Sequence, residues 1–401
     1  MNQKKNIRFQ EYLPLFLLLC FSGNPLFTSE DYSKTILVIY TLGFVAYMHF
    51  VLGIKVPERI SLIFFVIVVS IIIIVIFQHI LLGSVSYPGV MALILKILLG
   101  VYTLLYYMDK KIDFITVYIK IMALLVIASL PFWLINHFGW YGVDLNFNHL
   151  KTFFFYTSFQ GLEGYMSVRN SGMFWEPGAL SGYLNLALIF VALKNGRFQI
   201  GDFKMEILWI TIGILSSMST TGFLVFLVIL NIYIFQNYGI AKIIVIPITV
   251  LVIYFSYSSL DFLQKKIELQ YQESQEMTKG DMSNTRFGSW KMDMQYIQSQ
   301  PFTGNGLDIK TRYRFHPWIK TDIGNGNGMS NFIVCWGIPF FLFWLFCVYK
   351  SAKTITQSTF IAWLVVILLS LLLQGEQFLD YPMFLMFFII PFIYKINYNV
   401  V

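Results

Sequence analysis

The sequence predicts an all-α integral membrane protein, a single polytopic domain over residues 1–401, and three observations predict it. Apolar residues make up 57% of the chain and charged ones only 12%, where a soluble domain carries roughly a quarter charged. Mean hydropathy is +0.68. The apolar residues are also gathered into unbroken runs, with no alternation of a barrel strand. A soluble globular domain and a disordered chain are both excluded. If each crossing takes about 20 residues, twelve helices use about 240 of the 401 and leave about 160 for loops and tails.

The first crossing, 12–28, follows the charged start MNQKKNIRFQ as a signal peptide's apolar region would. Many equally apolar runs come after it, so it is expected to remain as an uncleaved helix. Runs at 35–53, 60–82, 88–108 and 115–137 supply the next four. SLIFFVIVVSIIIIVIFQHILL in the third is rich in β-branched residues, but its length fits a lipid-buried helix better than a strand. The later runs are 178–193, 205–218, 220–236, 241–258, 330–349, 357–374 and 380–395.

Residues 206–234 could form one long helix or two short ones meeting at Ser217–Gly222, and charge decides between them. With two helices, Lys4, Lys5, Arg8, Lys55, Arg59, Lys110, Lys111, Lys194, Arg197, Lys204, Lys242, Lys350, Lys353 and Lys395 all fall on one side. The short loops opposite then carry only Lys34, as the positive-inside rule requires, and both termini are cytoplasmic. The net charge of +7 thus speaks for topology and not for nucleic acid. Two long loops, 138–177 and 259–329, are placed on the outer face. In the second, Phe287, Trp290, Met294 and Ile297 recur at helical spacing after Ser283 or Asn284 as N-cap, with Pro301 as the stop. An amphipathic helix lying on the membrane domain is expected there.

Chemistry belongs to that outer face. Pro177 suits the first turn of a helix and keeps Glu176 extended, so Glu176 sits where the sixth crossing begins, seven residues after Arg169. Such a carboxylate can take a proton from a hydroxyl while an arginine holds a phosphate, or it can simply complement the helix dipole. Arg286 in the first turn of the loop helix opposes the dipole by about 0.3–1 kcal/mol, which makes sense where an anion binds. Arg312, Arg314 and His316, with Lys310, form an alternating basic and aromatic strip suited to phosphate and sugar, or an ordinary polar loop. Asn170, Trp290 and Asn327 complete the candidate substrate contacts.

Glu376 and Asp380 read as a solvated turn. Lys96, mid-helix, must face the bundle interior or snorkel. GNGLD and GNGNGMSN are turns and not phosphate loops, having neither a preceding strand nor the lysine and hydroxyl. His49, His79, His137 and His149 lack metal-ligand spacing. Cys20, Cys335 and Cys347 lie in apolar runs and read as small core residues, without a disulfide framework. No metal and no cofactor is expected.

RNSGMFWEPG at the start of a crossing, SSMSTTGF between two short ones and TRFGSWKMDMQYIQSQPFTGNG in the largest outer loop resemble the O-antigen polymerase (Wzy) and O-antigen ligase superfamily. The resemblance covers most of the chain in topology, with degenerate motifs confined to about 168–190, 216–230 and 285–337. It implies a GT-C-type glycosyltransferase in the bacterial inner membrane, acting at the periplasmic face on undecaprenyl diphosphate-linked glycans. Ligases carry a His-Asn pair eleven residues before a Gly. Counting back from Gly337 gives Gly326 and Asn327, so the histidine is missing and the polymerase is favoured. Arg169 and Arg286 match arginines that hold the diphosphate. Glu176 is the leading base and His316 the second.

The implied reaction moves a growing glycan from its carrier onto a hydroxyl of the next lipid-linked repeat unit, with inversion, no metal, and a chain-length regulator of the Wzz type as partner. An O-antigen ligase and a lipid-linked oligosaccharide flippase or other twelve-span transporter are the alternatives. A transporter should instead place its polar residues within the crossings near the midplane.

Overall fold

A computed structural model describes residues 8–28, 33–140, 142–145, 150–159, 169–238, 286–320 and 326–393. The expected crossing at 241–258, loop residues 259–285 with Ser283 and Asn284, and His149 lie outside the described residues. In chain order the helices are α1 (Phe9–Phe21), α2 (Pro25–Thr28), α3 (Ser33–Ala46), α4 (Glu58–Leu82), α5 (Tyr87–Asp109), α6 (Phe114–His137), α7 (Pro177–Asn195), α8 (Lys204–Ser217) and α9 (Thr220–Asn237). They continue as α10 (Arg286–Ser299), α11 (Ile309–Arg312), α12 (Gly328–Trp336), α13 (Ile338–Thr356), α14 (Thr359–Leu373) and α15 (Pro382–Leu385). α3 runs on through a π-helical turn, Tyr47–Val51. Among the described residues, seven helices are long and apolar enough to cross a membrane, with α1 and α14 shorter apolar helices.

Burial ranks the helices from centre to lipid. In α7, 89% of the most apolar window is buried, against 22% in α4. α4 turns Leu62, Phe65, Ile72, Ile76 and Ile80 outward, as a helix facing hydrocarbon should. α7 affords close approach through small residues: a Cβ built at Gly222 of α9 would fall 1.4 Å from Ser181 Oγ.

α8 and α9 are separate helices. Met218 caps α8 in the left-handed conformation, and Ser219 caps α9 by accepting from Gly222 N at 3.3 Å.

Four expectations require correction. The first run, 12–28, is not one helix: α1 ends at Phe21, and a turn through Gly23 at φ +150 separates it from α2. The run 330–349 is not one helix: Gly337, at φ +82 and ψ 162, separates α12 from α13, and Pro339 opens α13. The chain bends there because Phe302 O would stand 2.2 Å from a Cβ at Gly337. The run 380–395 is likewise broken. A 3-10 turn at Phe378–Asp380, then α15, then a second 3-10 turn at Met386–Phe388 form an irregular core segment whose residues 383–388 are at most 1% exposed. Irregular backbone at this depth is tolerated because protein surrounds it: Phe387 meets Trp344, and Phe388 meets Phe340 and Phe343. Finally, the fold is not purely helical. The loop after α6 holds a three-stranded antiparallel sheet, β1 (Val143–Asp144), β2 (Leu150–Thr152) and β3 (Thr157–Phe159), in register Val143↔Thr152 and Leu150↔Phe159.

Contacts sort the loops onto two ends of the bundle. At one end Asn24 Nδ2 donates to Phe154 O, Ser84 Oγ to Asp308, Gln78 Nε2 to Thr303 O and Asn170 N to Ser216 O. At the other, Lys194 pairs with Asp113 at 2.7 Å, Phe198 N donates to Gln236 Oε1 and Tyr107 Oη to Glu11 O. The first end carries every candidate site residue. The second carries Lys110, Lys111, Lys194, Arg197 and Lys204, the grouping that charge had assigned to one side.

Candidate functional site

The site assembles on the turn between α8 and α9. Arg169, 4% exposed, donates from Nε to Ser217 O at 3.1 Å, and Tyr156 Oη donates back to Arg169 O. Asn170 pins the same segment: Nδ2 donates to Ser129 Oγ and Ser216 Oγ, and Oδ1 accepts from Gly172 N at 2.8 Å. Asn170 is fully buried, so it braces the loop and does not face a groove.

Arg286 reaches the turn from the other direction. It is the first residue of α10 and donates from Nη1 to Thr221 Oγ1 on the opening turn of α9. Its Nη2 stands 3.6 Å from Glu376 Oε1, with the two side chains 22% and 12% exposed. Glu376 is therefore a partly buried counter-ion, where the sequence reads as a solvated turn. A Cβ built on Gly178 would lie 2.1 Å from Glu376 Oε1 and 3.3 Å from Glu176 Oε1. The two carboxylates thus flank one glycine on the first turn of α7, and only glycine leaves room for them.

Glu176 is the N-cap residue of α7, extended at φ −157, yet its side chain makes no capping bond. Among the described residues its carboxylate has no hydrogen bond or ion pair, so an oxygen remains to accept a proton. Trp175, the residue before it, stacks on Tyr381 with centroids 4.6 Å apart.

The first turns of α7, α9, α10 and α12 converge here. A Cβ built on Gly326 would lie 3.2 Å from Arg286 Cγ, and one on Gly328 would meet Glu376 O at 1.9 Å. Helix N-termini present amides and a partial positive charge, so together with Arg286 they favour an anion. Asn327 serves this arrangement as a cap, accepting from Ser330 N at 3.0 Å and donating to Gln374 Oε1 at 2.8 Å.

The basic strip after α10 divides. Arg312 is 2% exposed, pairs with Asp293 at 2.5 Å and donates to Asn331 Oδ1 at 3.0 Å. It locks α10 to α12 and is not a groove cation. Arg314 donates to Ser299 Oγ at 2.8 Å and lines an outer cleft of about 850 Å³ with Lys310 and Lys320. His316 is 6% exposed, with Nδ1 2.7 Å from Tyr296 Oη. Trp290 points outward, 45% exposed.

The arrangement brings together Arg169, Arg286 and Glu176 at one end of the bundle and keeps Arg312 and His316 apart in the α10–α12 core. Sequence reasoning underweighted Glu376, whose signal was its place between two apolar runs, and passed over Thr221 and Asp293, though both lie within the quoted segments SSMSTTGF and TRFGSWKMDMQYIQSQPFTGNG. His49 and His137 are satisfied by Tyr102 Oη and Trp133 O. All three cysteines are free and buried. Among the described residues no group of three His, Cys, Asp or Glu could hold a metal. Comparison of the chain with family models, curated proteins and solved structures returned no match.

Proposed function

We propose that the protein is a polysaccharide polymerase that joins undecaprenyl diphosphate-linked repeat units at the periplasmic face of the inner membrane, a GT-C-type glycosyltransferase. The observation that carries this reading is the uncommitted carboxylate of Glu176, set across Gly178 from the Arg286–Glu376 pair. A general base and a diphosphate-holding cation must flank the reacting carbon from different elements, and this is the pairing the site offers. In this reading Glu176 removes the proton of the acceptor hydroxyl while Arg286 and the converging helix N-termini stabilise charge on the departing diphosphate. Arg169 holds the Ser217–Gly222 turn against which Arg286 is set. Attack opposite the leaving group inverts the anomeric centre.

Purified protein supplied with synthetic lipid-linked repeat units, in the presence of a chelator, is expected to build a ladder of products. Arg286→Ala and Glu176→Gln should each slow ladder growth by about 100-fold or more, the usual contribution of a positioned base or charge. Folded variants that both build wild-type ladders would refute the assignment. Cells lacking the protein separate the ligase from the polymerase: single repeat units on the lipopolysaccharide fit the polymerase, and none at all the ligase.

A further inference from the structure

Lys96 has no task in that reaction. It is nine residues along α5 from Tyr87 at the outer end, about 14 Å down the helix at 1.5 Å per residue. Its ammonium donates to Asp380 O at 2.6 Å and stands 5.5 Å from the centre of the Tyr381 ring. Among the described residues it has no ion-pair partner. The Asp380 carboxylate favours the ammonium from beyond contact distance, but with only a carbonyl and a ring face in direct contact the charge is incompletely balanced at this depth, and a lysine kept there marks a ligand path or a wet cavity.

That cavity exists. It measures about 330 Å³ and is lined by Lys96, Lys34, Ser86, Leu307, Trp336 and Tyr381, with Asp380 beside them. Its walls continue into two further clefts. The outer one, of about 850 Å³, shares Lys34, Ser86 and Leu307 and adds Lys310, Arg314 and Lys320 against one carboxylate, Asp308. The other, of about 240 Å³, lies between α3 and α5, shares Lys34 and Ala92, and is walled by Val38, Leu95 and Met91. Met91 is 57% exposed on the outer flank of α5, so this cleft opens toward lipid. The Trp175–Tyr381 stack stands between the cavity and Glu176.

We propose that the cavity bounded by α3, α5 and the Phe378–Tyr381 turn binds the phosphate of a lipid that enters from the bilayer between α3 and α5. Lys96 anchors the phosphate from below and Lys34 meets it at the mouth. The cations point to an anionic head, and the apolar cleft leading to the membrane points to a hydrocarbon tail. A bilayer phospholipid and a polyprenyl phosphate share this chemistry. The proposal does not depend on the polymerase assignment, because binding is read without turnover.

The full-length protein, delipidated in detergent, is titrated with phosphatidylglycerol, undecaprenyl phosphate and uncharged diacylglycerol, and bound lipids are counted by native mass spectrometry. Wild type is expected to hold a phosphate lipid in preference to diacylglycerol. Lys96→Met should weaken that binding about tenfold, one charge-assisted contact, while Lys96→Arg retains it. Lys204→Gln, exposed at the other end of the bundle, should leave this binding unchanged. Lys34→Gln, at an exposed position that cannot disturb folding, should weaken it as well. Preference for undecaprenyl phosphate identifies the carrier lipid as occupant, and preference for phosphatidylglycerol a bilayer lipid. Equal binding by wild type and a folded Lys96→Met, no effect of Lys34→Gln, or no preference over diacylglycerol overturns the proposal.

Discussion

The Tyr296 hydroxyl accepts from Phe315 N at 3.2 Å and shares a hydrogen bond with His316 Nδ1, 2.7 Å away. Burial pushes Tyr296 up to about 12. Burial first, and then the Arg312 charge, hold His316 below its ordinary 6.5. His316 is buried with Nδ1 engaged by Tyr296, so Glu176 is the better candidate base. The sign of the linkage follows. Below 6.5 the unfolded chain takes up a proton that the folded chain resists, so stability falls as pH drops through 6.5 and levels off only beneath the lowered folded value. His316→Gln should therefore flatten the loss of thermal stability between about pH 7 and pH 5, measured by unfolding in detergent. An unchanged slope would assign that loss to other groups. In TRYRFHPW the basic residues look alike, and only the buried carboxylate of Asp293 distinguishes Arg312, locked in the core, from Arg314 on the cleft. One-dimensional spacing carries no information about a partner nineteen residues away.

Helix periodicity reports that a segment is helical more securely than it reports which side is buried. α10 forms where its spacing and Pro301 place it, and Ile297 of the expected stripe is buried with Met294 packed nearby, but the buried side also takes in Ser289, Met292, Asp293 and Tyr296, while Trp290 faces out. Asp293 can sit inside because Arg312 neutralises it and Ser330 Oγ donates to its Oδ2 at 2.6 Å. Paired charges and hydrogen bonds let polar side chains share a buried face with apolar ones. The broken helix between α12 and α13 escaped detection for the opposite reason: VCWGIPFF is apolar throughout, and nothing in hydropathy separates a straight crossing from a bent one. Gly337 lies in a backbone region essentially reserved for glycine. Gly337→Ala should cost at least about 1–3 kcal/mol from strain alone, with Phe302 O adding a clash. A drop in midpoint temperature together with slower ladder growth is expected, since α12 carries the cap that seats Glu376 and Gln374. An alanine variant as stable as wild type would show that the bend tolerates a side chain.

Across the whole molecule, the parts that hydropathy and charge made legible are the long apolar helices, most of their approximate limits, and the gathering of Lys110, Lys111, Lys194, Arg197 and Lys204 at one end. What was not legible, the sheet after α6, the irregular core of 378–388 and the Arg286–Glu376–Thr221 cluster, depends on contacts between segments far apart in the chain. Both sets bear on orientation, because the contacts gather Glu176, Arg286 and the Lys96 cavity at the end away from the basic loops. The positive-inside rule applied to those loops predicts that this end is periplasmic. The native cysteines are buried, so introduced ones can report sidedness against a low background. Trp140, 73% exposed in the loop after α6, and Lys204, exposed at the start of α8, stand at opposite ends. In intact spheroplasts a membrane-impermeant maleimide should label Trp140→Cys at once and Lys204→Cys only after permeabilisation. The reverse pattern would turn Glu176 and Arg286 toward the cytosol, out of reach of a glycan displayed on the outer leaflet, and the polymerase assignment would fall with it.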